Sequence, residues 1–529
     1  IQTMVNWGVN TVFGMVGHSN LGVADAMREQ EKQGKLRFFG IRHEGAAAFA
    51  ASGYAKLTGK PAACFGIAGP GATNMFTGMW DAKVDRAPLL ALSGQINTQV
   101  VGTGAFQEVD LVKAFSSVAE FNHAVQLNSD HSELMSLAIK NAIIKREVSH
   151  LTFPDEVAFT KKPEHEKAQT PENRITPFNI TPPAQMTEKA VALLKDAKRP
   201  VIVVGHGARF NMEAIIAYAQ TLNCPVITTF KGKGLIADGH ELGCGVLGRS
   251  GTPIASWFMN ESDLLVVFGA SFSNHTGITR KKPIIQVDFD PMALSKFHKV
   301  DVALWGEISE TLKIIKKETE GKTQAIDQRD EIANRWSIWQ EEKASRLRDS
   351  GDALSSIAVF DAMNKVTPDN AVIAVDVGNN TYSFGRYFEP KNQAVLMSGY
   401  LGSIGFALPA AMGAWAAQGH ERPIWSVSGD GGLGQYLAEI TTLVKYNMNI
   451  KHIVLNNSEL GKISKEQRAA ELDVWQTSLK NPSFAAFAEN CGALGIKVER
   501  REDLIPAMEK IRDHDGPALL EIITDVNLI

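Results

Sequence analysis

SGDGGLGQYLAEITTLVKYNMNIKHIVLNN, residues 428–457, decides the fold. The apolar run IWSVS (424–428) leads into it and is expected to be a buried strand. GDGG makes the turn after that strand. LGQYLAEITTLVKY (433–446) is expected to be helical, with Leu433, Leu437, Ile440 and Val444 on one stripe. NMN turns the chain, and KHIVLNN is the next strand. This is a strand–helix–strand crossover, which makes the two strands parallel. Parallel strands end on the same edge, where open α/β sheets bind ligands. Asp430 and Asn457 each lie just past such an end, so residues far apart in sequence are expected to converge. A carboxylate and an amide oxygen are hard donors. With waters and phosphate oxygens they suit Mg²⁺. Gly429, Gly431 and Gly432 let the backbone approach a phosphate, and the helix start behind them favours negative charge. The physics of this stretch suggests a diphosphate held through a metal, although a GDG turn can also be purely structural.

The same alternation extends along the chain. TVFGMV, LRFFGI, AACFGI and PLLALSG are candidate strands in residues 1–162, with candidate helices ADAMREQEKQG and GAAAFAASGYAKLTG. Alternation of this kind argues for a parallel sheet with crossover helices. Residues 163–185 hold Pro163, Pro171, Pro177, Pro182 and Pro183 and are expected to be a linker. PVIVVGHG, CPVITTF, LLVVFGAS and PIIQVDFD mark a second block over 186–345, closed by a charged helix. NAVIAVDVG, RPIWSVSGD, KHIVLNN and PALLEII mark a third over 353–529. The expected fold is α/β, with three doubly wound parallel-sheet domains. PAACFGIAGPGATN (61–74) and PIWSVSGDGGLGQ (423–435) share a proline–strand–Gly-x-Gly–helix order, which points to one fold in the first and third domains.

Composition removes several classes. The chain has 529 residues, 44% hydrophobic and 21% charged, with a net charge of −4 and no basic stripe, which argues against nucleic acid. Cys64, Cys224, Cys244 and Cys491 form no CxxC and fit reduced thiols of a cytoplasmic protein. No apolar run reaches the roughly 18 residues that a membrane span needs, so no stable membrane insertion is expected. No signal peptide is visible. IQTMVNWGVNT reads as a helix already under way at residue 1.

The GDG turn, followed after one crossover by NN, closely resembles the diphosphate-binding motif of thiamine diphosphate enzymes. The resemblance implies that Asp430 and Asn457 are Mg²⁺ ligands and that the backbone carbonyl of Glu459 is the third. It also implies a glutamate that protonates the aminopyrimidine ring of the coenzyme. Glu44 in GIRHEGAAAFAASGYAKLTG (40–59) matches it. A dry site favours the proton-carrying form of such a carboxyl, while a glutamate at a helix start is also favoured electrostatically. SGYLGSIGFALPAAMGA (398–414) resembles the segment whose bulky side chain, here Ile404, supports the bent coenzyme. DVGNNT (376–381) resembles a loop near the diphosphate, pointing to Gly378, Asn379 and Asn380. The domain order is then pyrimidine-binding, central and diphosphate-binding, and the family implies a homodimer or homotetramer with the active site between chains.

Within the family the sequence is closest to the pyruvate oxidases. GAFQEVD (104–110) resembles their AFQE segment, with Phe106 and Gln107 facing the substrate. In NNSELGKISKEQ (456–467) Glu466 matches a glutamate near the substrate, or is a solvated charge in a KEQR cluster. Lys462 stands where the oxidases carry a bulky aromatic. VVGHGARF (203–210) resembles a flavin-binding loop. It implies FAD held by Gly205, Gly207 and Arg209, with Asp288 or Asp290 on ribose hydroxyls; relatives also keep this domain with another nucleotide or none. His18 in MVGHSN is either a proton shuttle beside the reacting carbon or a turn residue. The expected activity is Mg²⁺-dependent decarboxylation of pyruvate or a similar small 2-oxo acid with electron transfer to FAD. The sequence stops at LLEIITDVNLI, which favours oxygen or a soluble acceptor. The same-class alternative is acetolactate-type carboligation, and a remote one is a non-catalytic assembly subunit.

Overall fold

The computed structural model describes residues 1–161 and 166–525. Residues 162–165, where the expected linker begins, and 526–529, the end of the expected third domain, lie outside the described residues.

Three six-stranded sheets, parallel throughout, carry the chain. The first contains β1 (Thr11–Gly14), β2 (Arg37–Gly40), β3 (Ala62–Gly66), β4 (Leu89–Gln95), β5 (Phe121–Ala124) and β6 (Val148–Pro154). Its order is β2-β1-β3-β4-β6-β5. The second contains β7 (Pro200–Val204), β8 (Val226–Thr228), β9 (Gly243–Val246), β10 (Leu264–Phe268), β11 (Ile284–Asp288) and β12 (Val302–Trp305). Its order, β12-β11-β10-β7-β8-β9, is that of a dinucleotide-binding sheet. The third contains β13 (Val372–Val375), β14 (Ala394–Met397), β15 (Ile424–Gly429), β16 (Ile450–Asn456), β17 (Leu494–Val498) and β18 (Ala518–Ile523). Its order, β14-β13-β15-β16-β18-β17, repeats the first sheet strand for strand. The echo between residues 61–74 and 423–435 is therefore an echo of topology, with β3 and β15 in equivalent places.

Apolar runs become strands because helices cover both faces, as parallel sheets require. Every residue of β7, β10 and β16 is buried. A buried histidine on an inner strand is satisfied locally. His452 on β16 bonds Ser426 (2.7 Å) and Ser428 (2.9 Å) on β15, and burial lowers its pKa to about 3, so it is a neutral core residue.

The outer two sheets form one body. Helices Glu44–Thr58 and Ala407–Gln418, which occupy equivalent places in the repeat, pack backbone to backbone. A Cβ on Gly413 would lie 1.9 Å from the carbonyl oxygen of Ala50, and one on Gly53 would lie 2.6 Å from that of Ala410. Glycine is required at both contacts. Alanine-rich faces on both helices complete a shared core.

One local expectation is corrected. The helix of 433–446 is not continuous. A helix Asp430–Gln435 ends at Tyr436 (φ −131°), and a short turn, Leu437–Glu439, leads into a second helix, Ile440–Lys445. Leu433 and Ile440 are buried as expected, but Leu443 takes the buried place expected for Val444. The break turns Glu439 inward, where it accepts from the backbone N–H groups of Arg42 and His43 (both 3.0 Å). Burial raises the pKa of Glu439.

Candidate active site

The parallel register of β15 and β16 places Gly429 opposite Leu455, so the two strands end side by side. Asp430 is buried at the first tip. Its Oδ1 accepts from Gly431 N (3.0 Å), and its Oδ2 accepts from Asn481 Nδ2 (2.7 Å). Asn481 also donates to Asn456 Oδ1 (3.0 Å) and so ties the two tips together. Asn457 Oδ1 accepts from Glu459 N (3.1 Å), and the Glu459 carbonyl accepts from Gly461 N (2.8 Å). The carboxylate of Asp430, Asn457 Oδ1 and the Glu459 carbonyl oxygen each have a lone pair beyond these bonds. Burial raises the pKa of Asp430, and among the described residues no cationic side chain bridges it. A buried carboxylate with neutral amide partners, beside two further oxygen donors, fits a hard divalent cation such as Mg²⁺.

The cradle beside it is made by backbone. Gly378 has φ +140°, open only to glycine. A Cβ on Gly432 would lie 2.6 Å from Asp376 Oδ2. Asp376 was not singled out as a site residue, although it begins the DVGNN stretch. Its Oδ1 accepts from Val377 N (2.7 Å) and Gly405 N (3.0 Å), and burial raises its pKa to about 7. Asp376 thereby fixes the Gly378 loop and the loop bearing Ile404, whose side chain is 37% exposed. Asn380 is occupied structurally, donating to the Asp376 carbonyl (3.1 Å), whereas Asn379 Nδ2 is buried without a partner among the described residues. A free donor on a glycine cradle beside a cation site suits a diphosphate.

A second cluster forms at the carboxyl edge of the first sheet. Glu44 is 5% exposed and accepts from Asn74 Nδ2 (3.0 Å) through Oε2. Its Oε1 faces Gly71, where a Cβ would come within 3.0 Å. Gln107 (φ +63°) packs on Gly69, and its Oε1 is buried and unpartnered among the described residues. Phe106 is 78% exposed and stacks at 6.1 Å on His18, which is exposed on the short turn His18–Asn20. Glu44, Gln107, Phe106 and His18 are thus brought to one edge. Glu439 and Tyr436 link this cluster to the segment after the GDGG turn: Tyr436 Oη fills the space a Cβ on Gly45 would need, at 2.5 Å.

Glu466 is not gathered into either cluster. Its carboxylate is largely exposed and pairs with Lys462 (2.7 Å), which holds its pKa below the usual range. The solvated reading of the KEQR cluster describes its present contacts.

The residues expected to hold a flavin lie at the carboxyl ends of β7 and β11. A Cβ on Gly205 would lie 2.3 Å from the Gly269 carbonyl, and one on Gly207 would lie 2.9 Å from Gly269 Cα. These glycines serve the packing of two loops. Asp290 pairs with Arg86 and accepts from Met292 N (2.8 Å), while Asp288 accepts from Asp290 N (3.0 Å). Arg86 of the first domain reaches both carboxylates. Arg209 donates to the His206 carbonyl (3.0 Å); burial first, then Arg146, lowers its pKa to about 10. Its Nε is buried and without a partner among the described residues.

Comparison with known proteins agrees with the geometry. Residues 1–114 match the N-terminal TPP binding domain of thiamine pyrophosphate enzymes, 187–315 the central domain and 376–522 the C-terminal TPP binding domain. YdaP of Bacillus subtilis, whose name describes it as thiamine pyrophosphate-containing, is 33% identical over 99% of this chain and 90% of its own. The acetolactate synthase large subunit of Corynebacterium glutamicum is 30% identical over 99% of this chain and 86% of its own. The isozyme 2 large subunit of Escherichia coli is 30% identical over 98% and 93%. None of the relatives named here is a pyruvate oxidase. The chain belongs to the thiamine pyrophosphate enzyme family.

Proposed function

We propose that this protein decarboxylates a small 2-oxo acid and joins the remaining fragment to a second carbonyl compound, as an acetolactate synthase-type carboligase. The observation that carries the coenzyme assignment is the buried Asp430 carboxylate without a cationic side chain, one strand tip from Asn457. Carboligation is supported over oxidation by the named acetolactate synthases.

Asp430, Asn457 and the Glu459 carbonyl would hold Mg²⁺, with the Gly378–Asn380 and Gly429–Gly432 turns receiving the diphosphate. Bound thiamine diphosphate supplies a nucleophilic carbon and an electron sink for the departing carbon dioxide. Glu44 Oε1, the oxygen that Asn74 leaves free, carries the proton. Gln107 Oε1 is a buried acceptor on the same edge, and Phe106 presents an exposed ring stacked on His18 there. His18 sits where it can relay a proton to the same edge. Ile404 supplies an apolar support. Phe106, Val101, Leu401 and Trp475 leave apolar surface open beside both clusters, which supports a working unit of at least two copies with the site between chains. Among the described residues no helix is long and apolar enough to cross a membrane, and the free thiols suit a reducing cytoplasm.

Incubation with pyruvate, thiamine diphosphate and Mg²⁺ is expected to yield acetolactate, detected after acid decarboxylation to acetoin. A bound flavin that bleaches on adding pyruvate, with no ligated product, would instead restore the oxidase reading. Asp430→Ala should weaken Mg²⁺-dependent coenzyme binding by at least about 10–100-fold, read by calorimetry with and without the metal. Equal affinity in the variant would remove Asp430 from the ligand set.

A further inference from the structure

A cavity of about 220 Å³ opens beside the diphosphate cradle, where three segments meet. These are the 249–251 turn of the central domain, helix Asn379–Tyr387 and helix Gly461–Ala469. Arg249, Arg386, Lys462 and Lys465 line it together with Asn379 and Tyr382, and no carboxylate is among the lining residues. Arg386 is locked in place by donating to the carbonyls of Arg249 (3.2 Å) and Gly251 (3.3 Å), contacts that leave its charge uncancelled. Lys462 pairs with Glu466 and lies 4.9 Å from the Tyr382 ring. Among the described residues no carboxylate comes within ion-pair distance of Arg249 or Lys465.

One carboxylate therefore stands against four cations in a chain whose net charge is −4. Holding like charges together around a recess costs free energy unless an anion enters. The walls come from two domains, so the cluster is not the exposed face of a single helix. The volume holds about seven waters, enough for a carboxylate or phosphate on a short carbon stem. Asn379, with its unpartnered Nδ2, belongs to both this cavity and the diphosphate loop, so a molecule reacting at the coenzyme can extend into it.

We propose that this cavity receives a second anionic group of the substrate, so that the preferred 2-oxo acid is a dianion with a carboxylate or phosphate at the end remote from the reacting carbonyl. The inference rests on the thiamine diphosphate reading above and narrows it. Arg249 and Lys465 bind the distal group by charge-assisted hydrogen bonds. Arg386 and Lys462 supply the surrounding field.

The test compares 2-oxoglutarate with 2-oxovalerate, which has the same carbon number and no distal carboxylate. With the holoenzyme at low salt, kcat/KM should favour 2-oxoglutarate by about tenfold or more, and the preference should shrink as salt is raised. In Arg249→Gln/Lys465→Gln the ratio should fall to near one. A second measurement does not need the coenzyme: calorimetric titration of the apoprotein should show 2-oxoglutarate binding, weakened about tenfold in the double variant. If neither acid is turned over, this titration alone decides. Equal preference in the unaltered protein, or a preference that survives both substitutions, overturns the proposal. So does a double variant that loses thiamine diphosphate affinity and handles both acids equally badly, because the cations would then serve the coenzyme. Stimulation of 2-oxovalerate turnover by inorganic phosphate would assign the cavity to a free anion and overturn it as well. Failure of thiamine diphosphate to bind the unaltered protein, with 2-oxoglutarate still bound, would sink the coenzyme reading and leave the cavity standing.

Discussion

Glu44→Gln is expected to lower kcat by about 10²–10⁴-fold, the usual worth of a positioned general acid or base, while thiamine diphosphate binding stays intact. Glutamine has the same shape, and its amide oxygen can still accept from Asn74 Nδ2. Helix Glu44–Thr58 keeps its start, because that is secured elsewhere. Gly45 N donates to His43 Nδ1 (3.0 Å), and Glu439 takes the N–H groups of Arg42 and His43. What the amide lacks is a proton to give from the position of Oε1. Calorimetry on the variant, run beside turnover assays, separates the two roles. Retention of more than about a tenth of the activity would exceed what loss of an acid–base group allows. Unchanged turnover with weakened coenzyme binding would make Glu44 a binding residue.

Lys56→Met should destabilise the protein by about 3–5 kcal/mol, the cost of leaving buried charges without their partner. Lys56 is fully buried in helix Glu44–Thr58. Its Nζ donates to Asp81 Oδ2 (2.6 Å) and the Met397 carbonyl (3.0 Å), and lies 2.8 Å from Asp85 Oδ2. Lys231 of the central domain reaches Asp85 Oδ1 at 2.5 Å. The network therefore joins all three domains. Burial opposes the charge on Lys56, but Asp81 and Asp85 outweigh it and hold its pKa above the ordinary value. Asp85 is likewise held below its ordinary value by Lys231 and Lys56 against the effect of burial. Methionine fills the volume and removes the charge. The thermal midpoint should fall by roughly 5 °C in scans at one fixed rate. Adding Asp81→Asn should recover part of the loss, since it removes one of the orphaned charges. A single variant as stable as the unaltered protein would mean that water or proton uptake neutralises the pocket.

The parts of the fold visible in the sequence were those written in continuous apolar runs. PVIVV, LLVVF and KHIVLNN could hardly be anything but inner strands. β6 was less visible because VSHLTFP carries a histidine, which becomes tolerable only when Ser93 and Asn122 bond it at 2.8 Å each. β9, GCGV, is half glycine, and β17, at a sheet edge, exposes Lys497. The break at Tyr436 was hidden because a helical stripe says nothing of what the neighbouring domain demands of Glu439. Asp430, Asn457 and Glu44 were found from turn chemistry and resemblance. Asn481 and Lys56 were not, because their partners lie 51 and 25 residues away and no local spacing announces them. At Gly205 and Gly207 the sequence alone does not separate two roles, because a glycine needed for close loop packing looks like one needed for a phosphate.

The glycine-to-backbone interlock of Gly53 and Gly413 has a consequence for how the molecule comes into being. Some 360 residues separate these two positions, yet each helix buries its small-residue face against the backbone of the other. During synthesis the first sheet emerges with that face uncovered and must wait until the last third leaves the ribosome. For most of translation the nascent chain therefore exposes an apolar seam, which makes it a natural client for a chaperone that shields such surfaces.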